Sequence, residues 1–121
     1  MMENNTIQAT ELGPEIRMEV SGMMTIKGRS MMEDASIYYK SCYEWVARYI
    51  VEQNKELSVE IDLSYFNSSS AKQLLKILMM LDDSDVSAKI IWVYPSESDV
   101  LYERGQEMEI MLDLPFEYKS K

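Results

Sequence analysis

A strand-to-helix stretch begins at residue 57 and reads Leu57-Ser-Val-Glu-Ile-Asp-Leu-Ser-Tyr-Phe66. Its apolar residues alternate with polar ones as far as Leu63, which is the period-2 pattern of a half-buried strand. The polar run Asn67-Ser68-Ser69-Ser70 follows, and from Ala71 to Leu81 the apolar residues recur at spacings of three and four. That spacing is typical of an amphipathic helix, so the stretch predicts a strand joined to a helix by a serine cluster.

The same two patterns recur on both sides of this stretch. Residues 15–21 alternate, and Gly22 separates them from a second strand candidate, which predicts a β-hairpin. Strands that then alternate with helices predict crossover connections and a mainly parallel sheet. The predicted elements are strands at 15–21, 23–27, 57–66 and 88–94, helices from about 32 or 33 to 53, at 71–81 and from 96 to about 111, and an optional strand at 115–118.

We therefore expect an α/β fold, a single-domain sheet of about four to five mixed strands with about three helices, in the order β-β-α-β-α-β-α with an optional last strand. The domain is predicted to cover residues 13–121, and residues 1–12 to form a flexible or edge segment. The strand at 88–94 is nearly all apolar, which is typical of burial on both faces. The expected helix caps are Ser30 or Asp34 for the first helix, Ser70 with Gln73 for the second, and Ser96 with Asp99 for the third.

The composition excludes several classes of function. The chain has 121 residues, with 12 Lys+Arg against 21 Asp+Glu, so its formal net charge is −9, and it contains no histidine. An acidic chain lacks the excess of Lys and Arg that binds nucleic-acid phosphates or anionic lipid. Without histidine there is no Ser-His-Asp or Cys-His nucleophile and no His-based metal site. A binding or regulatory module remains, or an unusual enzyme that uses a carboxylate or a lysine, and no cofactor is expected.

Other features of the sequence receive structural interpretations. No signal peptide and no membrane-spanning run is predicted, so a cytoplasmic protein is expected. The single cysteine, Cys42, lies on the apolar stripe of the first helix and is predicted to be a core thiol. The acidic run at 82–85 lacks the glycine and distal glutamate of an EF-hand loop and favours a helix-ending turn over a cation site. The methionine doublets are expected mainly to fill the core, and the alternative is an adaptable surface for a partner, with Met31-Met32 partly exposed.

The serine cluster is the feature that the predicted scaffold explains least. A helix N-terminus leaves backbone N–H groups free, and one hydroxyl side chain satisfies such a group, so Ser70 suffices as the cap. Ser68 and Ser69 remain, at the carboxyl end of a strand, where α/β sheets usually present functional loops. A nucleophilic serine is disfavoured because its activation needs a base, and Lys72 is the only local substitute. A phosphate acceptor needs no base of its own, because a kinase supplies the chemistry.

Several segments resemble the SiaC family of bacterial regulatory phosphoproteins. The resemblance runs in order through about residues 13–118, and its most specific part is Tyr65-Phe-Asn-Ser-Ser-Ser70 before a helix. The segments that carry it are Gly28-Arg-Ser-Met-Met-Glu-Asp-Ala-Ser-Ile-Tyr-Tyr39, Asp62-Leu-Ser-Tyr-Phe-Asn-Ser-Ser-Ser-Ala-Lys72, Ile91-Trp-Val-Tyr94, Tyr102-Glu-Arg-Gly-Gln-Glu107 and Leu114-Pro-Phe-Glu117.

This resemblance implies a non-enzymatic switch protein that looks like the STAS-type anti-sigma-factor antagonists in element order. It implies phosphorylation at Ser68, where the family commonly has Thr, with Ser69 and Ser70 as alternative acceptors. It further implies a dedicated kinase, a PPM-type phosphatase and an effector that the unphosphorylated form activates. In the best-known member that effector is a diguanylate cyclase, which raises cyclic-di-GMP and favours biofilm formation. The residues expected around the phosphosite and at the partner surface are Tyr65, Asn67, Ser69, Lys72, Met31 and Met32.

A second interpretation from another class stays open. The chain is then a constitutive adaptor or dimerisation module, and its serines only cap a helix. A third, an enzyme that uses Lys72 or a pair of carboxylates, predicts turnover by the isolated protein. Phosphate mapped to Ser68 after incubation with kinase and ATP separates the first interpretation from the second.

Overall fold

The computed structural model describes residues 2–53 and 55–121, which form one sheet with three helices. The strands follow one another in space in the same order as in the chain, from β1 to β6. The elements are β1 (Asn5–Ile7), β2 (Glu15–Glu19), β3 (Met23–Ser30), α1 (Ala35–Glu52), β4 (Leu57–Phe66), α2 (Ser68–Asp82), β5 (Ala88–Tyr94), α3 (Asp99–Ile110) and β6 (Phe116–Ser120).

The sheet has an antiparallel part and a parallel part. β1, β2 and β3 pair antiparallel, with the predicted hairpin turning at Gly22 (φ 111°), and β3, β4, β5 and β6 pair parallel. Each parallel step contains one helix and moves in the same direction across the sheet. Because such crossovers are right-handed, all three helices lie on the same face. The molecule is therefore a two-layer α/β structure, and the fold class predicted from the sequence is confirmed.

The core lies between the helices and the helix-side face of the sheet. Two rows of side chains run across the strands in register and point towards the helices. The first row is Met18, Met24, Val59, Ile90 and Phe116, and the second is Ile16, Ile26, Ile61, Trp92 and Tyr118. The other face carries polar side chains, including the exposed Arg17, Lys27 and Lys89. The prediction that strand 88–94 is buried on both faces is confirmed only in part: on the face without helices Lys89 is exposed and Ile91 half-buried, although Val93 is buried.

Six strands form, one more than the sequence predicted at most. The additional strand, β1, has three residues and pairs with β2 from Asn5↔Met18 to Ile7↔Ile16. It lies within residues 1–12, for which a flexible or edge segment is predicted. Its sequence, Asn-Thr-Ile, is too short to show an alternating pattern, so only the pairing with β2 defines it as a strand. The division of the chain at residue 13 stays a prediction.

All three helix starts, including those of α1 and α3, differ by two or three residues from the sequence prediction. α1 begins at Ala35, and its cap is Asp34, whose carboxylate accepts hydrogen bonds from the Ser36 hydroxyl and N–H; these bonds lower the pKa of Asp34. Ser30 belongs to the end of β3 instead. α3 is capped by Ser98, whose hydroxyl accepts from Leu101 N at 3.3 Å, whereas the predicted cap Ser96 lies outside the helix. Two residues with short polar side chains precede each of α1 and α3 in the sequence, and in each case the residue directly before the helix is the cap.

The remaining structural interpretations concern Cys42 and the acidic turn. Cys42 is fully buried beside Met24, and burial raises the pKa of its thiol to about 12, so it is a core residue. Asp82 ends α2 and Asp83 is its C-cap. Within residues 2–53 and 55–121, no helix has both the length and the apolar character needed to cross a membrane.

Candidate functional site

The serine cluster starts helix α2 directly after the carboxyl end of β4. A single residue, Asn67, separates the two elements, and its extended backbone (φ −90°, ψ 177°) turns the chain into the helix. The Asn67 side-chain oxygen accepts a hydrogen bond from Ser70 N at 2.9 Å, so Asn67 is the helix cap. The prediction that Ser70 is the cap is wrong, because the helix begins three residues earlier than its apolar pattern indicates and Ser70 lies inside its first turn.

The hydroxyl of Ser70 belongs to a buried hydrogen-bond network. It donates to the Ser30 carbonyl oxygen at 3.0 Å and accepts from the Ser30 hydroxyl at 2.6 Å. The Tyr39 hydroxyl lies 2.8 Å from Ser30 Oγ, and it is the donor there because the Ser30 proton is already used. Burial raises the pKa of Tyr39, so the phenol stays neutral. Ser70 thus joins α2 to β3 and α1, and its hydroxyl is closed to solvent.

Ser69 and Asn67 hold the loop that precedes α1. Ser69 Oγ accepts a hydrogen bond from Ala35 N at 2.9 Å, which satisfies a free N–H group at the start of α1. The Asn67 side-chain amide donates to the Met32 carbonyl oxygen at 2.8 Å. Both residues therefore have structural partners, and they fix the loop that carries Met31 and Met32 next to the start of α2.

Ser68 differs from its two neighbours. It is the first residue of α2, and its side chain is exposed to solvent. No protein atom of residues 2–53 or 55–121 forms a hydrogen bond with its hydroxyl. Since Ser70 is buried and Ser69 is half-buried with its oxygen bonded to Ala35 N, Ser68 is the most exposed hydroxyl of the cluster.

Around Ser68 the surface is partly apolar and contains no acidic residue in the first turn of α2. Tyr65 is 50% exposed and Met31 is 37% exposed, whereas Met32 is half-buried. Lys72 is exposed and lies one turn after Ser68 on the same side of the helix. Exposed apolar side chains and a cation thus lie within four residues of Ser68 or in the loop that is hydrogen-bonded to Asn67, and their role as a partner surface stays a prediction.

An open groove of about 570 Å³ between α2 and α3 adjoins this surface. Arg104 of α3 reaches back from the groove to β4, where its Nη1 donates to the Phe66 carbonyl oxygen at 2.8 Å and its guanidinium stacks 3.9 Å above the Phe66 ring. The residues that line the groove are Phe66, Ala71, Lys72, Leu75, Arg104, Glu107, Met108, Ile110 and Met111.

Sequence reasoning gave Arg104 no role, although Tyr102-Glu-Arg-Gly-Gln-Glu107 was one of the segments that carried the family resemblance. The structure explains the Arg-Gly pair. A Cβ on Gly105 would lie only 2.7 Å from Trp92 Nε1, so glycine allows α3 to approach the sheet closely. That approach places Arg104 over Phe66, two residues before Ser68.

Comparisons with known proteins identify the family to which the chain belongs. Residues 7–121 match the model of the SiaC family of regulatory phosphoproteins. An uncharacterized protein of Pseudomonas aeruginosa strain UCBPP-PA14 is 24% identical over 119 residues, which cover 95% of this chain and 94% of that protein.

Solved structures share the fold over nearly the whole chain. The crystal structure of apo-SiaC from Pseudomonas aeruginosa has a TM-score of 0.87 at 24% identity and covers 98% of this chain and 100% of that one. SiaC in the crystal structure of the diguanylate cyclase SiaD in complex with its activator SiaC also has a TM-score of 0.87, at 23% identity, and covers 97% and 99% of the two chains. Since the family model spans residues 7–121 and includes every element from β2 to β6, the chain belongs to the SiaC family of regulatory phosphoproteins.

Proposed function

We propose that the chain is a binding protein switched by phosphorylation of Ser68, and that its unphosphorylated form binds and activates an effector enzyme. The observation that carries this proposal is the difference in environment among the three serines. Ser69 and Ser70 form hydrogen bonds with other elements of the fold, whereas the Ser68 hydroxyl is exposed and forms no hydrogen bond with the described part of the protein. In this proposal Ser68 is the phosphate acceptor, and the protein itself catalyses no reaction.

The proposed partners are a kinase that phosphorylates Ser68, a PPM-type phosphatase that removes the phosphate, and a diguanylate cyclase as the effector. The structural similarity to a SiaC that is the activator of a diguanylate cyclase supports the choice of effector. Because kinase and cyclase both use nucleotides of the cell interior, the proposed location is the cytoplasm. The effector contacts the surface around Ser68 formed by Tyr65, Met31, Met32 and Lys72.

The phosphate is expected to act at the interface and to leave the fold intact. It adds about −1.5 to −2 charges at the start of a helix, where free N–H groups and the helix dipole favour an anion by about 0.3–1 kcal/mol. A partner that covers Ser68 must instead remove a dianion from water, at a cost of several kcal/mol. A loss of about 1.4 kcal/mol already weakens binding tenfold. Phosphorylation thus excludes the effector without rearranging the chain.

The alternative, a constitutive adaptor or dimerisation module, needs all three serines to be structural. Its caps and internal contacts are satisfied by Asn67, Ser69 and Ser70, which leaves the Ser68 hydroxyl without a structural task. This observation favours the switch. The adaptor predicts that replacement of Ser68 alters neither phosphorylation nor partner binding.

Intact-mass measurement after incubation with ATP and host-cell extract tests the proposal. The wild-type chain is expected to gain one phosphate that peptide mapping assigns to Ser68, and Ser68→Ala is expected to gain none. Ser96→Ala, which removes another exposed serine next to a helix start, serves as the matched control and should behave as the wild type does. Phosphate on Ser68→Ala, or on the wild type at a different residue, contradicts the assignment.

A further inference from the structure

Arg104 is a half-buried cation with spare hydrogen-bonding capacity in an acidic chain. A guanidinium has five N–H donors, and among residues 2–53 and 55–121 Arg104 makes a single hydrogen bond, to the Phe66 carbonyl oxygen. Within the same described residues, no carboxylate oxygen lies within 4.0 Å of its guanidinium, whereas Arg17 and Arg48 are paired with Glu15 and Glu52. In that part of the chain Arg29 has no carboxylate partner either, but it is exposed and donates to the Glu11 carbonyl oxygen. In a protein with a net charge of −9, a fixed and unpaired guanidinium needs an explanation.

Contacts with core residues fix the position of the Arg104 side chain. Its guanidinium rests on the ring of Phe66, which is 1% exposed and packs edge-on against Trp92 at 5.8 Å between centroids. Trp92 in turn donates a hydrogen bond from Nε1 to the Leu101 carbonyl oxygen of α3 and touches Gly105. This chain of contacts holds the charge beside the end of β4, so little entropy is lost when the remaining donors meet an anion.

We propose that Arg104 is the residue that binds the phosphate of phosphorylated Ser68 within the same chain, with Lys72 as a second cation on the opposite side. This inference rests on the proposed function, because it assigns the group that binds the phosphate on Ser68. Ser68 follows Phe66 by two residues, which span at most about 7 Å even when fully extended. Arg104 and Lys72 both line the groove that opens beside the start of α2.

The chemistry of the two cations suits a phosphomonoester. A guanidinium presents two parallel N–H donors that match two phosphate oxygens, and the ammonium of Lys72 adds a flexible point charge. The charged groups that line the groove are Lys72 on α2 and Arg104 and Glu107 on α3. Glu107 lies one turn after Arg104 in α3. Glu33 and Asp34 lie in the loop between Met32 and Ala35, which Asn67 and Ser69 bind. The two cations are therefore on the groove side of the serine cluster, and these carboxylates are on the α1 side.

A phosphate-protonation measurement tests the role of Arg104. Phosphoserine is placed at position 68 by genetic encoding, and the second protonation of the phosphate is followed by ³¹P NMR. A nearby cation favours the dianion and lowers the pKa of the phosphate. Arg104→Gln is expected to raise that pKa by about half a unit or more relative to the wild type, and Lys72→Gln to raise it by less. Arg17→Gln is the matched control, since Arg17 is exposed on the face of the sheet away from the helices.

The inference is overturned if Arg104→Gln titrates as the wild type does, or if Arg17→Gln raises the pKa equally, which would indicate only an effect of net charge. A second measurement needs no variant and covers the case in which Arg104→Gln fails to fold. The Nε–H resonance of Arg104 should shift with the titration of the phosphate in the phosphoserine protein, and an unchanged resonance contradicts the inference.

Failure of this inference and failure of the proposed function are distinguishable. The phosphate is installed without a kinase, so the NMR result concerns only the contact within the chain. An effector that binds phosphorylated and unphosphorylated protein equally would overturn the proposed switch and leave the Arg104 contact untouched.

Discussion

Helices α2 and α3 both begin where a parallel strand of the same sheet ends, and both begin in serine-containing sequence. β4 leads through Asn67 into Ser68-Ser69-Ser70, and β5 leads through Pro95 into Ser96-Glu97-Ser98-Asp99. Each helix is capped by a short polar side chain, Asn67 for α2 and Ser98 for α3. Both caps have an extended backbone, but one residue separates β4 from α2 whereas four residues separate β5 from α3. The surrounding side chains differ as well.

The first turns of the two helices differ in charge. α3 carries Asp99 in its first turn and Glu97 just before it, so a phosphate on Ser96 would meet carboxylates. α2 has no acid in its first turn, and Lys72 and Arg104 lie beside it. If Ser68 is the phosphosite, as proposed, free N–H groups at a helix start do not by themselves define it. The proposal attributes the choice of Ser68 to the neighbouring charges and to the hydroxyls that internal hydrogen bonds leave free.

The largest expected effect separates buried Ser70 from exposed Ser68. Ser70→Asp places an unpaired carboxylate in the buried network with Ser30 and Tyr39, and we expect it to lower the free energy of unfolding by about 3–5 kcal/mol. Ser68→Asp places the same charge in solvent at a helix N-terminus and should change stability by less than about 0.5 kcal/mol. Urea unfolding measures both variants. Equal stability of the two variants would contradict the burial of Ser70 and the exposure of Ser68.

An intermediate effect is expected at Gly105, through which α3 positions Arg104 at the start of α2. Gly105→Ala gains about 1 kcal/mol of helix propensity, but its methyl group collides with an indole ring that is itself hydrogen-bonded. Overpacking costs about 1–3 kcal/mol, and a contact of 2.7 Å with a hydrogen-bonded ring belongs at the upper end of that range, so the net loss after the gain in propensity is about 2 kcal/mol. Thermal or urea unfolding checks this value.

The exposed neighbour Gln106 on the same helix provides the control for Gly105→Ala. Gln106→Ala has no contact of this kind and should stay within about 0.5 kcal/mol of the wild type. A stabilised Gly105→Ala variant would mean that α3 does not need its close approach to Trp92.

The smallest effect compares the two caps. Ser98→Ala removes one hydrogen bond to Leu101 N and should cost about 0.5–1 kcal/mol. Asn67→Ala removes the bond from Ser70 N and also the bond to the Met32 carbonyl oxygen, so a loss of about 1–2 kcal/mol is expected. Unfolding free energies of both variants test the order. If Ser98→Ala is the less stable variant, the hydrogen bond from Asn67 to the Met32 carbonyl oxygen does not contribute to stability.

The elements with strong periodicity were predictable from the sequence. The alternation from Leu57 to Leu63 and the spacing from Ala71 to Leu81 predicted β4 and α2 because side-chain burial follows the backbone period. The three-residue strand β1 has no such period, and only its pairing with β2 defines it. Helix starts were less predictable, since several polar residues stood close together at each one.

The sequence indicated which segment contains the candidate site, but not which side chains contact one another there. The resemblance indicated Ser68 and its neighbours, and the exposed hydroxyl of Ser68 supports that choice. The partner of Ser70 is Ser30, 40 residues away, and the partner of Arg104 is Phe66, 38 residues away. Such contacts depend on how β3, β4 and α3 meet in space, and no local pattern encodes them.

The most direct measurement compares effector affinity when phosphoserine is encoded at position 68 and when it is encoded at position 96. Both residues are exposed and lie next to a helix start, and both proteins carry the same added charge. Calorimetric titration with a host diguanylate cyclase that the unmodified chain binds should give at least about tenfold weaker binding for phosphoserine at 68, equivalent to about 1.4 kcal/mol. Phosphoserine at 96 should bind as the unmodified chain does. Equal affinity of all three proteins, or equal weakening by both modifications, would contradict the switch at Ser68.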